Sequence, residues 1–291
     1  MIKKIIANTL LYFCLSANDS LAQQEPPRDV TRHTLTIDSL KQKIPASATV
    51  FTLSGLNFNL YNSMPEKFRG IFSRSPYRMV QVKYPASLAK NSIVKGVEML
   101  NAALRSTQGP KIVMAHSQGA QVCSRWMREY AGDTTAPGPS ELIFILTGNP
   151  LRSTGGYIIG RKEIGGTTGM ATPTETPWQI IDFARRYDGW ADWVQDEKNK
   201  LAVKNANIGK QTLHKNYQDI DFFSPTHTIW SVGNTTYVLT REEELPVLRG
   251  CSKSSVELSK MREQIEAGYT NRPREGAPEK HKSYVEPMPG D

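Results

Sequence analysis

Cysteine is scarce in this chain, with three in 291 residues. That excludes a small scaffold stapled by disulfides. No Cys/His spacing suggests a zinc site. Past the first 22 residues no segment has the apolar length needed to cross a bilayer. No run of basic residues is interleaved with aromatics, so nucleic-acid binding has no support. The 36 basic against 28 acidic residues still leave a formal charge of +8. That excess reads as a soluble basic surface, with an anionic wall or lipid headgroup surface as the alternative partner. No internal repeat is visible.

The first 22 residues read as an export signal. Lys3 and Lys4 form its positive start, Ile5 to Leu15 a short, mostly apolar run, and Ser20-Leu21-Ala22 a small-residue cleavage site. Cys14 follows Phe13, which argues against a lipoprotein. Removing the signal leaves Cys123 and Cys251; Cys123 falls on a helix, where a buried free thiol is the expected state. The protein is therefore expected to be secreted or associated with the cell wall.

Residues 23 to about 45 are polar and contain Pro26 and Pro27, and read as a mobile lead-in. Short β-rich runs then occur at Val50–Leu53, Arg78–Lys83, Lys111–Ala115, Leu142–Thr147, Gln179–Arg185 and Thr235–Leu239. Helical patterns separate some of them. Ile93, Val94, Val97, Leu100 and Leu104 share one face of residues 92–105, and Val122, Trp126 and Tyr130 one face of 119–131, with Gly132 as the stop. Strands alternating with helices predict an α/β fold, a mostly parallel central sheet with helices on both faces. Such sheets bind ligands at the carboxyl ends of their strands. The α/β domain is expected over residues 46–250, with Leu245–Leu248 as a short hydrophobic anchor. A last helix is expected over 251–268, carrying Val256, Leu258, Met261 and Ile265. The Pro-, Gly-, Lys- and Glu-rich residues 269–291 read as a disordered tail.

The chemistry is carried first by Lys111-Ile-Val-Met-Ala115-His116-Ser117-Gln118-Gly119-Ala120. An apolar strand, then small-x-Ser-x-Gly, then a helix is the pattern of a nucleophile elbow. The turn is tight, so residues two away from the serine must be small, as Ala115 and Gly119 are. It lifts the Ser117 hydroxyl out of the sheet and offers the Gln118 N–H to a developing oxyanion beside the positive helix end. A second oxyanion donor is expected from Ser54-Gly55-Leu56-Asn57, after an early strand.

A serine needs a histidine held by a carboxylate, here in the order Ser, acid, His. There are five histidines. His33 precedes the domain, His281 lies in the tail and His116 reads as a spacer beside the serine. His214 and His227 are left as bases. For the acid, the run from Ile180 to Asp192 reads as a strand entering a loop, in which Asp188 and Asp192 are both placed to hold an imidazole. Asp182 lies inside the strand and is the weaker candidate.

A wider set of segments occurs in a fixed order. It comprises Tyr84-Pro85-Ala86, the elbow, Gly148-Asn149-Pro150-Leu151-Arg152, Tyr187-Asp188-Gly189-Trp190-Ala191-Asp192, Asn205-Ala206-x-x-Gly209, His214-x-x-Tyr217, Thr235-Thr236-Tyr237 and Leu245-Pro246-Val247-Leu248. Over roughly residues 48–250 this resembles the PE-PPE domain of mycobacteria and their relatives, a cutinase-like serine hydrolase family. The Gly-Asn-Pro-x-Arg stretch is also similar to phage lysin B esterases, which cut mycolic esters of the cell wall. The resemblance implies an α/β-hydrolase with esterase or acyl-transfer activity and no cofactor. It favours His214 over His227. For the acid, it matches lipases if Asp188 is chosen and cutinases or lysin B if Asp192 is, with Asp188 slightly preferred. Three departures stand out: Ala115-His116 replaces the usual Gly-Tyr, Val194 replaces a proline, and no PE or PPE helical module precedes the domain.

The expected function is a serine esterase or lipase acting on lipid-like carboxylic esters. Its expected site is Ser117, Asp188 (or Asp192) and His214, with Gln118, Leu56 and Gly55 as the oxyanion hole. One alternative is an acyltransferase that uses a sugar hydroxyl; another is a non-catalytic surface or phage binding module on the same fold. The oligomeric state is not legible.

Overall fold

The computed structural model describes residues 33–162, 168–249 and 254–273. The export signal, Cys251 and most of the expected tail lie outside the described residues. Among the described residues eight strands form one sheet: β1 (His33–Thr34), β2 (Ala48–Leu53), β3 (Tyr77–Gln81), β4 (Lys111–His116), β5 (Leu142–Thr147), β6 (Gln179–Ala184), β7 (Thr228–Val232) and β8 (Thr235–Leu239). Their spatial order is β1-β7-β8-β6-β5-β4-β2-β3. Every pair from β3 across to β8 is parallel, and only the β7–β8 and β1–β7 contacts are antiparallel. This is the mostly parallel sheet, flanked by helices, that the alternation of strands and helices predicts.

The central strands β4 and β5 are buried along their whole length, as both-faces-covered parallel strands must be. Alternate residues therefore enter two different cores. Phe51, Leu53, Val113 and Phe144 meet α2 (Ser92–Arg105) and α3 (Gln118–Tyr130) through Val97, Leu100, Val122 and Trp126. On the opposite face Val50, Ile112, Met114 and Phe183 pack on Met64, Phe68 and Phe72 of a kinked 3-10 segment, Met64–Ser73. A third cluster joins α4 (Lys200–Thr212) to α5 (Ser255–Glu266). Among the described residues no helix is long and apolar enough to cross a membrane.

Two expectations are corrected. Residues 33–44 are not wholly a mobile lead-in: β1 extends the sheet, and α1 (Ile37–Lys43) follows, capped by Thr36 and anchored by the buried Leu40. The last helix, α5, packs into the fold. Its start is fixed by a capping box between Ser254 and Glu257, and Ile265 enters the third cluster. The expected disordered tail begins too early, because Tyr269 and Arg272 are buried. Cys123 is a buried free thiol, as expected, and burial raises its pKa well above the usual value.

Candidate active site

β4 ends at His116 and α3 begins at Gln118, so residue 117 alone carries the reversal. Ser117 does so at φ 54°, ψ −117°, a conformation an L-residue holds only where its surroundings over-determine it. Those surroundings are specific. The Ser117 N–H donates to Thr147 O at 3.0 Å. A Cβ on Gly119 would lie 2.4 Å from Leu53 O, and one on Gly55 would lie 2.9 Å from Ser117 Cβ. The small residues around the serine are thus demanded by the backbone of β2 and the loop that follows it.

The serine faces His214. Its Oγ lies 2.9 Å from His214 Nε2, while His214 Nδ1 lies 3.1 and 3.0 Å from the two Asp188 oxygens. A carboxylate at Nδ1 accepts a hydrogen bond from the ring N–H, which keeps the proton there and leaves Nε2 as the acceptor for a hydroxyl. Asp188 is fully buried and satisfied: the Tyr217 hydroxyl donates to Oδ2 at 2.9 Å and the Trp190 N–H to Oδ1 at 3.1 Å. Burial, with Asp188 alongside, pushes the Tyr217 pKa well up, so the phenol stays a donor.

The other candidates are occupied elsewhere. Asp192 accepts from the Tyr187 N–H at 2.8 Å and forms an ion pair with Arg272, whose Nε is 2.7 Å from Oδ1 but not aligned as a hydrogen bond. Asp182 is held by Arg152 Nη1 and Asn149 Nδ2, both at 2.8 Å, which gives the Gly-Asn-Pro-x-Arg segment a structural task. His227 Nε2 bonds Asp221 O at 2.7 Å and its ring packs on Phe183. His116 Nδ1 pairs with Thr147 Oγ1 at 3.0 Å, and burial, then Lys67 and His214, lower its pKa well below the usual value. It is a neutral spacer whose ring lies 4.9 Å from that of His214.

The acid loop is clamped from two sides. A Cβ on Gly209 of α4 would lie 1.8 Å from Tyr187 O, so the helix rides directly on the loop's backbone there. Beneath it, Arg186, Asp192, Glu266 and Arg272 form a buried charge cluster. Burial pushes the Glu266 carboxyl up, but Arg272 and Arg186 outweigh it and hold it down at about 2. Sequence reasoning missed Arg272 altogether, since nothing local marks an arginine that turns inward. It quoted Tyr217 only within His-x-x-Tyr and assigned it no contact.

Gln118 is the first residue of α3, so its N–H has no acceptor within the helix and sits at the positive end. Across the elbow, the Asn57 and Phe58 N–H groups both donate to Ala86 O. The Leu56 N–H, one residue earlier, is not tied up by that turn. The Gln118 side chain donates to Ser87 O and accepts from Ser92 Oγ, which binds the elbow to the loop after β3. These two loops present Phe58, Leu60, Tyr61 and Leu88 to solvent. Among the described residues no cluster of His, Cys, Asp or Glu could hold a metal ion.

The family model of the PE-PPE domain matches residues 67–270. This chain belongs to the PE-PPE domain family. It is 30% identical over 183 residues to the Mycobacterium tuberculosis protein named Esterase PE16, covering 57% of this chain and 34% of that protein. It is 32% identical over 172 residues to the SL1278 acyltransferase Chp1 of the same organism, covering 55% of this chain and 41% of that one. With the diacyltrehalose acyltransferase Chp2 it shares 28% over 207 residues, 61% of this chain and 56% of that protein. The chain thus spans about a third to a half of the length of these relatives. A cutinase-like protein from Cryptococcus sp. is similar in structure at a TM-score of 0.35 and 18% identity, covering 60% of this chain and 94% of that one.

Proposed function

We propose that this PE-PPE domain is a serine esterase that hydrolyses lipid-like carboxylic esters through an acyl-enzyme. The observation that carries the reading is the unbroken hydrogen-bonded chain from Ser117 Oγ through His214 to Asp188. Its esterase relative PE16 supports the reaction class.

His214 Nε2 takes the Ser117 proton as Oγ bonds to the ester carbonyl carbon. The negative oxygen that results is stabilised by the backbone N–H groups of Gln118 and Leu56, which Gly55 allows to approach the serine. Collapse breaks the bond to the leaving alkoxide, which receives the proton from His214. Water then gives a proton to His214 while its oxygen attacks the acyl carbon; collapse breaks the bond to Oγ, which takes that proton back from His214, and a carboxylic acid and free Ser117 result. Asp188 holds the ring in the required tautomer and supports its charge, and Tyr217 holds Asp188. Phe58, Leu60, Tyr61 and Leu88, exposed on the loops after β2 and β3, favour an apolar acyl chain over a polar one. The reading needs no cofactor, metal or nucleic acid. Its partner is a lipid or acyl ester at a wall or membrane surface, reached by export on the signal read in residues 1–22.

A second reading, transfer of the acyl group to a sugar hydroxyl in place of water, is supported by the two relatives named as acyltransferases. Hydrolysis of p-nitrophenyl esters from two to sixteen carbons, with and without trehalose, separates the two. Free acid alone, in amounts unaffected by the sugar, supports the esterase; acyl-sugar that accumulates at the expense of acid replaces it with the transferase. No turnover in either condition, with the protein folded, overturns both.

A further inference from the structure

Behind the site lies a charge for which the mechanism above has no task. Lys67 is 1% exposed, and its Nζ has no hydrogen-bond partner among the described residues. The backbone drives it inward. After Lys67, Phe68 and Arg69 adopt left-handed angles, φ 54° and 56°. Their N–H groups donate to Tyr217 O at 2.9 Å and Gln218 O at 2.7 Å. The strained kink is thus pinned to the very segment that carries Tyr217.

Lys67 Nζ sits 5.2 Å from the centre of the Tyr217 ring, within reach of a cation–π contact. The hydroxyl of that ring donates to Asp188. The Tyr217 ring also lies 5.5 Å from that of His116, which in turn packs on His214. The groups facing Lys67 are therefore Asp188 from the loop after β6, His116 at the end of β4, Tyr217 after α4 and Glu66 on its own segment. Burial lowers the Lys67 pKa to about 7, against the opposing pull of Asp188 and Glu66. Its charge is thus gained or lost in the range where a histidine base works.

Resting on the Ser117–His214–Asp188 reading, we propose that Lys67 is a positioning residue: by carrying or releasing one positive charge behind Tyr217, it sets how strongly Asp188 supports a proton on His214. A charged Lys67 draws on the Asp188 carboxylate and opposes the imidazolium that forms in the transition state. A neutral Lys67 leaves the carboxylate to the imidazole alone. Lys67 touches neither substrate nor reacting atoms, so its effect falls on kcat and on the pH profile, with KM unchanged.

The test is an NMR titration of the His214 C2 proton in the full chain, wild type beside Lys67→Met, with the signal assigned by its loss in His214→Gln. Methionine fills the same space without the charge. The wild-type signal is expected to move in two steps. In Lys67→Met one step disappears and the other shifts upward by about half a unit to one unit. The acid limb of kcat/KM on p-nitrophenyl butyrate moves with it. A single step with one shared midpoint in both proteins overturns the proposal. Should Lys67→Met fail to fold, the wild type decides alone, since a one-step curve there has the same meaning. The titration needs no turnover, so failure of the esterase reading shows separately, as an inactive protein whose His214 still responds to Lys67.

Discussion

Two buried aspartates four positions apart in one loop should fail in opposite ways. Asp188→Asn keeps the shape of the residue, but its one amide oxygen can accept from only one of Tyr217 and Trp190, whose donors reach different Asp188 oxygens, so stability should fall by about 1–3 kcal/mol. It cannot hold the Nδ1–H tautomer or support the imidazolium, and kcat should drop by about 10³- to 10⁴-fold with KM little changed. Asp192→Asn leaves the His214 contacts alone but removes one of the two carboxylates that Arg272 touches in a closed interior. Breaking a buried pair from one side costs about 3–5 kcal/mol. At roughly 2–4 °C per kcal/mol for a fold of this size, the thermal midpoint should fall by about 6–20 °C. Replacing the cation too, in Asp192→Asn/Arg272→Met, should recover part of that loss. Thermal melts by circular dichroism, paired with p-nitrophenyl butyrate kinetics well below every midpoint, read both effects. The reasoning is refuted if folded Asp192→Asn is inactive while Asp188→Asn turns over normally.

Other outcomes follow from the same contacts. Tyr217→Phe removes a donor to Asp188 and an acceptor for the Arg185 N–H; kcat should fall by roughly 10-fold and stability by about 1–3 kcal/mol, measured in the same two assays. Glu266 has a folded pKa depressed to about 2, so its contribution is fully present above the unfolded value near 4.5 and lost as pH falls through about 2. The difference is worth roughly 3 kcal/mol, and urea melts between about pH 2 and 6 should show a steeper acid loss in wild type than in Glu266→Gln. Leu60→Ser/Tyr61→Ser/Leu88→Ser should leave two-carbon ester hydrolysis intact and lower kcat/KM on sixteen-carbon esters by about 10-fold or more; equal losses on both would contradict the apolar rim.

What could be read from the sequence was what is written locally. The elbow needs a strand, a small residue, a serine, a glycine and a helix within ten positions, and each requirement is met by backbone contacts seen around Ser117. The α2 and α3 faces were legible because their apolar spacing is regular. α4 was not, because it packs through Ala202, Asn205, Ala206 and Gly209, which carry little hydrophobic signal. β7 was overlooked, although Gly233-Asn234 between two β-branched runs is the mark of a two-residue hairpin. The choice between Asp188 and Asp192 could not be made locally: both suit the loop, and only Arg272, far along the chain, claims one of them. Lys67 left no mark for the same reason, since its burial depends on a kink fastened to Tyr217 and Gln218.

The central claim is that Ser117 is an activated nucleophile, and covalent capture tests it most directly. Diethyl p-nitrophenyl phosphate would be incubated with the wild type, Ser117→Ala and His214→Gln, and each protein's intact mass and peptides then measured. The account predicts one diethylphosphoryl adduct per wild-type chain, on the peptide bearing Ser117, none on Ser117→Ala, and labelling at least about 100-fold slower for His214→Gln. A folded wild type that takes no label, or carries it on a residue other than Ser117, would contradict the account.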